Sequence, residues 1–145
     1  MDKETTISSI EKLLSAQEML LFRIKNGIYN NRGENLDQIL NQYTDFVEFF
    51  RNPKHNFREL MGGIAYDNIM TYANNGLEEC ARIYYVYFTE PQGFFKKIKF
   101  KDPSPIEIEK AKSYHKDLLT ISEKLTEYIN IGLQRLNSLD KDKFK

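Results

Sequence analysis

The sequence predicts an all-α protein, an antiparallel four-helix bundle that ends in a long C-terminal helix. Apolar residues recur at intervals of three and four along most of the chain, which is the period of an amphipathic helix. Three of the four prolines lie between positions 91 and 105, so we expect this stretch to be the main interruption of the helical pattern. The 145 residues suit one domain, 1–145, and four helices with short connections pack most simply as antiparallel neighbours.

Composition and charge exclude several classes of protein. The chain is 41% hydrophobic and 29% charged, which is ordinary for a globular domain. Its longest apolar run, residues 83–88, is far shorter than the roughly 20 residues of a spanning helix. The N-terminus does not resemble a secretory signal, and Cys80 is the only cysteine, so we expect a cytoplasmic protein. The zero net charge argues against a protein that coats nucleic acid.

The first two helices are predicted over about 6–29 and about 36–50. A hydroxyl of Thr5 or Thr6 is expected to cap the first helix, and Asn35 is expected to cap the second. Four apolar positions of the first helix lie seven residues apart: Ile7, Leu14, Leu21 and Ile28. This spacing is typical of a helix that packs in a bundle.

The third helix is predicted over about 55–88, although it contains two glycine-rich pairs that resemble breaks. Both Gly62-Gly63 and Asn75-Gly76 carry that signal. The helical spacing nevertheless continues through them: Gly62, Ala65, Ile69, Ala73, Gly76, Cys80, Ile83 and Tyr87. Small residues on one stripe let a neighbouring helix approach closely, which favours one helix. The alternative is a five-helix bundle with a break near Asn75-Gly76.

The last helix, about 104–139, has the clearest start. Ser104, Pro105 and Glu107 together match a capping box with proline at the first helical position. The segment before it, 89–103, is expected to be a loop or a small hairpin. The tail, 140–145, alternates charges and is expected to fray.

The segment 84–101, which we call the aromatic-basic segment, is the best candidate for partner binding. Lysines alternate with apolar residues near its end, so one face is basic and the other apolar. The candidate contact residues are Tyr84, Tyr85, Tyr87, Phe88, Phe94, Phe95, Lys96, Lys97, Lys99, Phe100 and Lys101. Aromatic clusters rimmed by charge are common in protein interfaces. The first alternative is a loop whose aromatic residues close the end of the bundle while its lysines stay solvated. The other is that residues 94–101 bind nucleic acid or an anionic membrane, since lysines hold phosphates and aromatic residues stack or insert.

A second candidate site lies around His55. Arg51, His55 and Arg58 stand close together in the sequence, and the segment resembles the arginine and histidine pair of helical nucleases of the HEPN class. This resemblance implies a divergent helical ribonuclease with those three residues as catalytic candidates. The segment departs from the pattern because only three residues separate Arg51 from His55, and Pro53 is one of them.

Other reactive side chains have structural interpretations. His115 falls on the apolar stripe of the last helix, where a hydrogen-bonded histidine is expected, and Cys80 is expected to be an unreactive packing thiol. Two histidines and one cysteine do not form a recognisable metal-binding pattern, so we predict neither a metal nor a cofactor.

The leading hypothesis is therefore a non-enzymatic helical interaction protein, such as a small regulator, adaptor or inhibitor. It would bind a macromolecule through an exposed helix face and the aromatic-basic segment. The first helix carries more apolar residues than one face can hold, for example in Met19-Leu20-Leu21-Phe22, and so we also expect a homodimer. The composition, rich in Asn, Ile, Lys and Tyr, suggests a microbe or a mobile element as the source.

Overall fold

The computed structural model describes residues 1–25, 34–89, 99–100 and 103–144 of the chain. These residues form five α-helices, two very short strands and one 3₁₀ turn. In chain order the elements are α1 (Lys3–Lys25), α2 (Glu34–Arg51), α3 (Phe57–Met61), α4 (Gly63–Tyr87), β1 (Phe88–Thr89), β2 (Lys99–Phe100), α5 (Pro105–Ser138) and a 3₁₀ turn (Lys141–Lys143). The helices pack against one another, which confirms the prediction of an all-α bundle.

The long helices are antiparallel neighbours. α5 packs on α4 and on α1, while α2 packs mainly on α4. Contacts near both ends and the middle fix the α1–α5 register: Lys3 with Leu139, Gln17 with Ser122, and Ile24 with His115. The α4–α5 register follows from Tyr72 stacked on Tyr128, with ring centroids 5.8 Å apart. The bundle therefore has two distinct ends, one where α4 begins and one where it finishes.

The starts of the first two helices differ from the predicted ones. α1 begins at Lys3 because Asp2 caps it, accepting a hydrogen bond from the backbone N–H of Thr5 at 2.7 Å. That bond lowers the pKa of the Asp2 carboxyl. The prediction that Thr5 or Thr6 is the cap is therefore wrong. α2 already includes residue 35, so Asn35 is not its cap either. The predicted end of the first helix, 26–29, lies outside the described residues.

The third predicted helix is interrupted, but not at Asn75-Gly76. α4 runs without a break through that pair, and the interruption comes at Gly62, whose φ of 88° no helix can accommodate. Asn56 also has a positive φ, 52°, and precedes the five-residue α3. The prediction of one helix over 55–88 is wrong at its beginning because these two residues turn the chain where α3 meets the end of α5.

The last helix begins as predicted. Ser104 Oγ accepts a hydrogen bond from the N–H of Glu107 at 3.3 Å, and the Glu107 carboxylate accepts one from the N–H of Ser104 at 3.2 Å. The tail, 140–145, contains one packed residue in its described part: Phe144 is 8% exposed and packs against the core. The alternating charges of the tail gave no indication that Phe144 packs in the core.

The segment before α5 pairs its two ends. Phe88 pairs with Phe100 and Thr89 with Lys99 in an antiparallel ladder, which is the hairpin alternative for 89–103. None of the helices in the described part of the chain combines the length and the apolar character that crossing a membrane requires.

Candidate functional site

The end of the bundle at which α4 finishes carries the predicted partner-binding tyrosines, and we call it the tyrosine end. Tyr85 is 46% exposed, whereas Tyr84 and Tyr87 are half-buried against the core. The rings of Tyr84 and Tyr85 meet edge to face, with centroids 5.5 Å apart. Partial burial raises the pKa of the Tyr87 phenol, while nearby Lys112 acts in the opposite direction. Tyr85 is therefore the tyrosine of this group that is best placed to contact a partner.

The rest of the aromatic-basic segment is described only in part. The β1–β2 ladder places the backbone of Phe88, Lys99 and Phe100 directly after α4. Five of the predicted contact residues lie outside the described residues: Phe94, Phe95, Lys96, Lys97 and Lys101. The ladder brings both ends of the segment to the tyrosine end.

Further apolar side chains are exposed in the same half of the bundle, and two of them lie on α1. Met19 is 56% exposed and Phe22 is 64% exposed, both on the last turns of α1. The hydrogen bond from His115 Nε2 to the Ile24 carbonyl oxygen places this part of α1 beside the first half of α5. Since Tyr87 lies close to Lys112, the end of α4 is at the same level. Part of the predicted surplus of apolar residues on the first helix is therefore exposed in the same half of the bundle as the tyrosines.

The candidate nuclease residues do not converge on one site. Arg51 is exposed at the last turn of α2, and Arg58 forms an ion pair with Asp67 at 3.2 Å. The His55 ring packs against Phe49 and Phe57, with centroid distances of 5.4 and 5.1 Å. His55 lines a cavity that neither Arg51 nor Arg58 lines.

That cavity lies at the opposite end of the bundle, and we call it the basal cavity. It has a volume of about 630 Å³ and is formed where the α2–α3 turn, α3, the end of α5 and both chain termini meet. It is lined by Met1, Lys54, His55, Asn56, Glu59, Leu60, Arg135, Leu139, Asp142 and Lys143. Sequence reasoning singled out only His55 from this set, because residues so far apart along the chain share no local pattern.

The centre of the bundle contains a buried polar layer that joins α1, α2 and α5. Gln17 and Ser122 are both fully buried, and Gln17 Nε2 donates to the Ser122 carbonyl oxygen at 3.1 Å and to its hydroxyl. The Tyr43 hydroxyl lies beside them, and burial raises its pKa strongly. The protonated phenol and the neutral amide are poor nucleophiles, and both groups are fully buried, so we do not assign catalysis to this layer. The layer places Gln17 of α1 opposite Ser122 of α5 in the middle of the bundle.

Cys80 and His115 have the structural roles that the sequence predicts. Burial, and secondly the nearby Glu79 carboxylate, raise the pKa of the fully buried Cys80 thiol, which therefore stays protonated. His115 is half-buried and bonded to α1. Within the described ranges, no three His, Cys, Asp or Glu side chains are grouped as metal ligands.

Comparison with known proteins adds no relative from which a function could be transferred. No protein-family model matches the chain, and neither the curated proteins nor the solved structures include a significant match to it. Its function has to be argued from its own residues and their geometry.

Proposed function

We propose that this protein is a non-enzymatic interaction module, a small regulator, adaptor or inhibitor, that binds another protein through its tyrosine end. The exposure of three large side chains, Met19, Phe22 and Tyr85, in one half of the bundle supports the proposal most directly. Exposed apolar residues of this size are typical of contact surfaces, and aromatic residues commonly dominate their binding energy.

The charge of the same region indicates what the partner offers. The aromatic-basic segment, 84–101, carries 4 basic side chains and 1 acidic one, a formal excess of +3, and all four lysines lie between 96 and 101. The matching surface on a partner is an apolar patch with an acidic rim, because complementary charges at the rim speed association and exclude other partners. A cytoplasmic location and a microbial or mobile-element source remain part of the proposal, and they rest on the composition alone.

The experiment compares two variants that change exposed apolar side chains in opposite halves of the bundle. In the first, Met19, Phe22 and Tyr85 are replaced together by serine; in the second, Ile64, which is 79% exposed near the start of α4, is replaced by serine. We expect wild type and Ile64→Ser to retain the same protein from host lysate, and the triple variant to lose it. Retention of that protein by the triple variant would exclude the tyrosine end as the binding surface.

The predicted homodimer can be tested with the same variants. Sedimentation of the purified wild-type chain should show a dimer at high concentration. If the triple variant is monomeric while Ile64→Ser remains dimeric, a second copy occupies the tyrosine end. A wild-type monomer at all concentrations would contradict the homodimer.

Nucleic-acid binding by residues 94–101 is the competing proposal. Its support is the run of lysines and phenylalanines that follows the exposed tyrosine. It requires that a single-stranded oligonucleotide binds with steep salt dependence and that replacement of Lys97, Lys99 and Lys101 by glutamate abolishes binding. If the wild-type chain retains no oligonucleotide at low salt, this alternative fails. The ribonuclease alternative has no comparable support, since Arg51 and Arg58 do not line the cavity that His55 borders.

A further inference from the structure

The basal cavity has the dimensions of a small-molecule site. Its volume of about 630 Å³ falls within the range of about 300–1,000 Å³ that ligand pockets commonly occupy. It lies at the end of α4 that is opposite to the tyrosine end. A ligand there would not compete with a partner bound at the tyrosines.

Three cationic side chains line this cavity, and none of them forms a direct ion pair with a described residue. Lys54, Arg135 and Lys143 come from three separate segments, and none has a carboxylate oxygen within 4.0 Å among the described residues. The whole chain has 21 basic and 21 acidic side chains, and it forms ion pairs elsewhere. Lys54, Arg135 and Lys143 thus present their charge at the cavity without an ion-pair partner among the described residues.

The two carboxylates that line the cavity do not cancel this charge. Glu59 accepts a hydrogen bond from Asn56 Nδ2 at 2.6 Å, which holds it within its own turn. Asp142 is the other acidic residue. Three basic and two acidic side chains leave a formal excess of +1. An anion would be attracted to this site.

Arg135 is already held in place by the fold. Its Nε donates to the Leu60 carbonyl oxygen at 3.3 Å, and its side chain lies across Gly62, where a Cβ would be 3.4 Å from the Arg135 Cδ. The other guanidinium N–H groups have no partner in the part of the chain that the structure describes. A guanidinium fixed through one nitrogen presents its two terminal nitrogens as a fork for two oxygens of a phosphate.

The rim that carries Lys143 is also anchored. Phe144 is buried, and Lys3 Nζ donates to the Leu139 carbonyl oxygen at 2.6 Å, so that both chain termini are tied to the end of α5. Binding therefore needs little ordering of the backbone, which favours affinity.

We propose that the basal cavity binds the phosphate group of a small phosphorylated molecule, with Arg135 as the principal anchor and Lys54 and Lys143 as supporting charges. The cations converge on one cavity instead of following a long groove, which is the arrangement expected for a small ligand and not for a polynucleotide. This inference does not depend on the proposed function of the tyrosine end.

Titration calorimetry with inorganic pyrophosphate as the probe, at low ionic strength, tests the proposal. We expect saturable one-to-one binding to the wild-type chain. Arg135→Gln should weaken it by about tenfold or more, because a charge-assisted hydrogen bond is lost. Lys110→Gln is the matched control, since Lys110 is an exposed lysine near the start of α5, far from the cavity.

Because Arg135 also donates to the Leu60 carbonyl oxygen, Arg135→Gln could weaken binding by disturbing the fold. A second variant therefore leaves Arg135 in place. Lys54 and Lys143 are both exposed, so the double variant Lys54→Gln, Lys143→Gln should keep its fold and still bind pyrophosphate at least about tenfold more weakly. Three results would overturn the proposal: no saturable pyrophosphate binding, equal weakening by Lys110→Gln, or a single-stranded oligonucleotide that occupies the cavity more tightly than pyrophosphate does.

Discussion

Replacement of Gly76 by alanine tests how α4 passes through the Asn75-Gly76 pair. A Cβ at position 76 would lie 2.3 Å from Cε1 and 2.6 Å from Cζ of Tyr43, whereas ordinary contacts begin near 3.4 Å. The Tyr43 ring would have to move by about 1 Å. Tyr43 is fully buried, and its hydroxyl lies beside Gln17 and Ser122. The ring therefore has no free space into which it can move.

The expected loss of stability is the difference between two opposing effects. Alanine in place of glycine stabilises a helix interior by about 1 kcal/mol. Overpacking a rigid core costs about 1–3 kcal/mol and sometimes more. Because the new Cβ would meet a rigid aromatic ring, we expect Gly76→Ala to cost about 3 kcal/mol, the upper end of this range. We expect the free energy of unfolding to fall by about 2 kcal/mol, which corresponds to a decrease in Tm of roughly 8 °C for a chain of this length.

Urea unfolding followed by circular dichroism measures this change, and Gly132→Ala is the matched control. A Cβ at Gly132 would also be too close to a neighbour, Met61 Cε at 2.1 Å, but its next nearest atoms are 3.6 Å away. A methionine methyl group can rotate aside, so Gly132→Ala should stay within about 1 kcal/mol of wild type. A second check is Tyr43→Leu, which should remove much of the penalty of Gly76→Ala in a double-mutant cycle. The reasoning is refuted if Gly76→Ala is as stable as wild type, or if both glycine variants lose the same stability.

Three further predictions concern Cys80, Ser104 and Phe144. Because burial raises the pKa of the Cys80 thiol, it should not react with a disulfide reagent at mildly alkaline pH in the folded protein. The thiol should react at once in denaturant. Rapid reaction of the native chain would contradict the burial of Cys80. Ser104→Ala removes the cap of α5 and should lower the free energy of unfolding by about 1 kcal/mol in urea titration, whereas Ser113→Ala, an exposed site within α5, should not lower it. Phe144→Ala should destabilise the protein by about 2–4 kcal/mol and increase proteolysis of the tail, and an unchanged unfolding midpoint would mean that the tail is not anchored.

Part of the candidate site could be predicted from the sequence, and part could not. The surplus of apolar residues in Met19-Leu20-Leu21-Phe22 indicated exposure on α1, since one helix face cannot hold four consecutive large side chains, and Met19 and Phe22 are the exposed ones. The basal cavity gave no such signal. Lys54, Arg135 and Lys143 meet only because the α2–α3 turn reaches the end of α5, and no local pattern records a meeting of such distant segments.

The sequence by itself determined the helical class, the start of α5 and the packing stripe of α4. Each of these depends on interactions between residues within a few positions of one another, such as the reciprocal bonds of Ser104 and Glu107. Only the tertiary structure decided which glycine interrupts a helix. Gly62 and Gly76 carry the same local signal, but a neighbouring ring packs directly on Gly76 within α4, while Gly62 adopts a positive φ where the chain turns from α3 into α4. A glycine's freedom permits either outcome, and the neighbours that pack on it determine which one occurs.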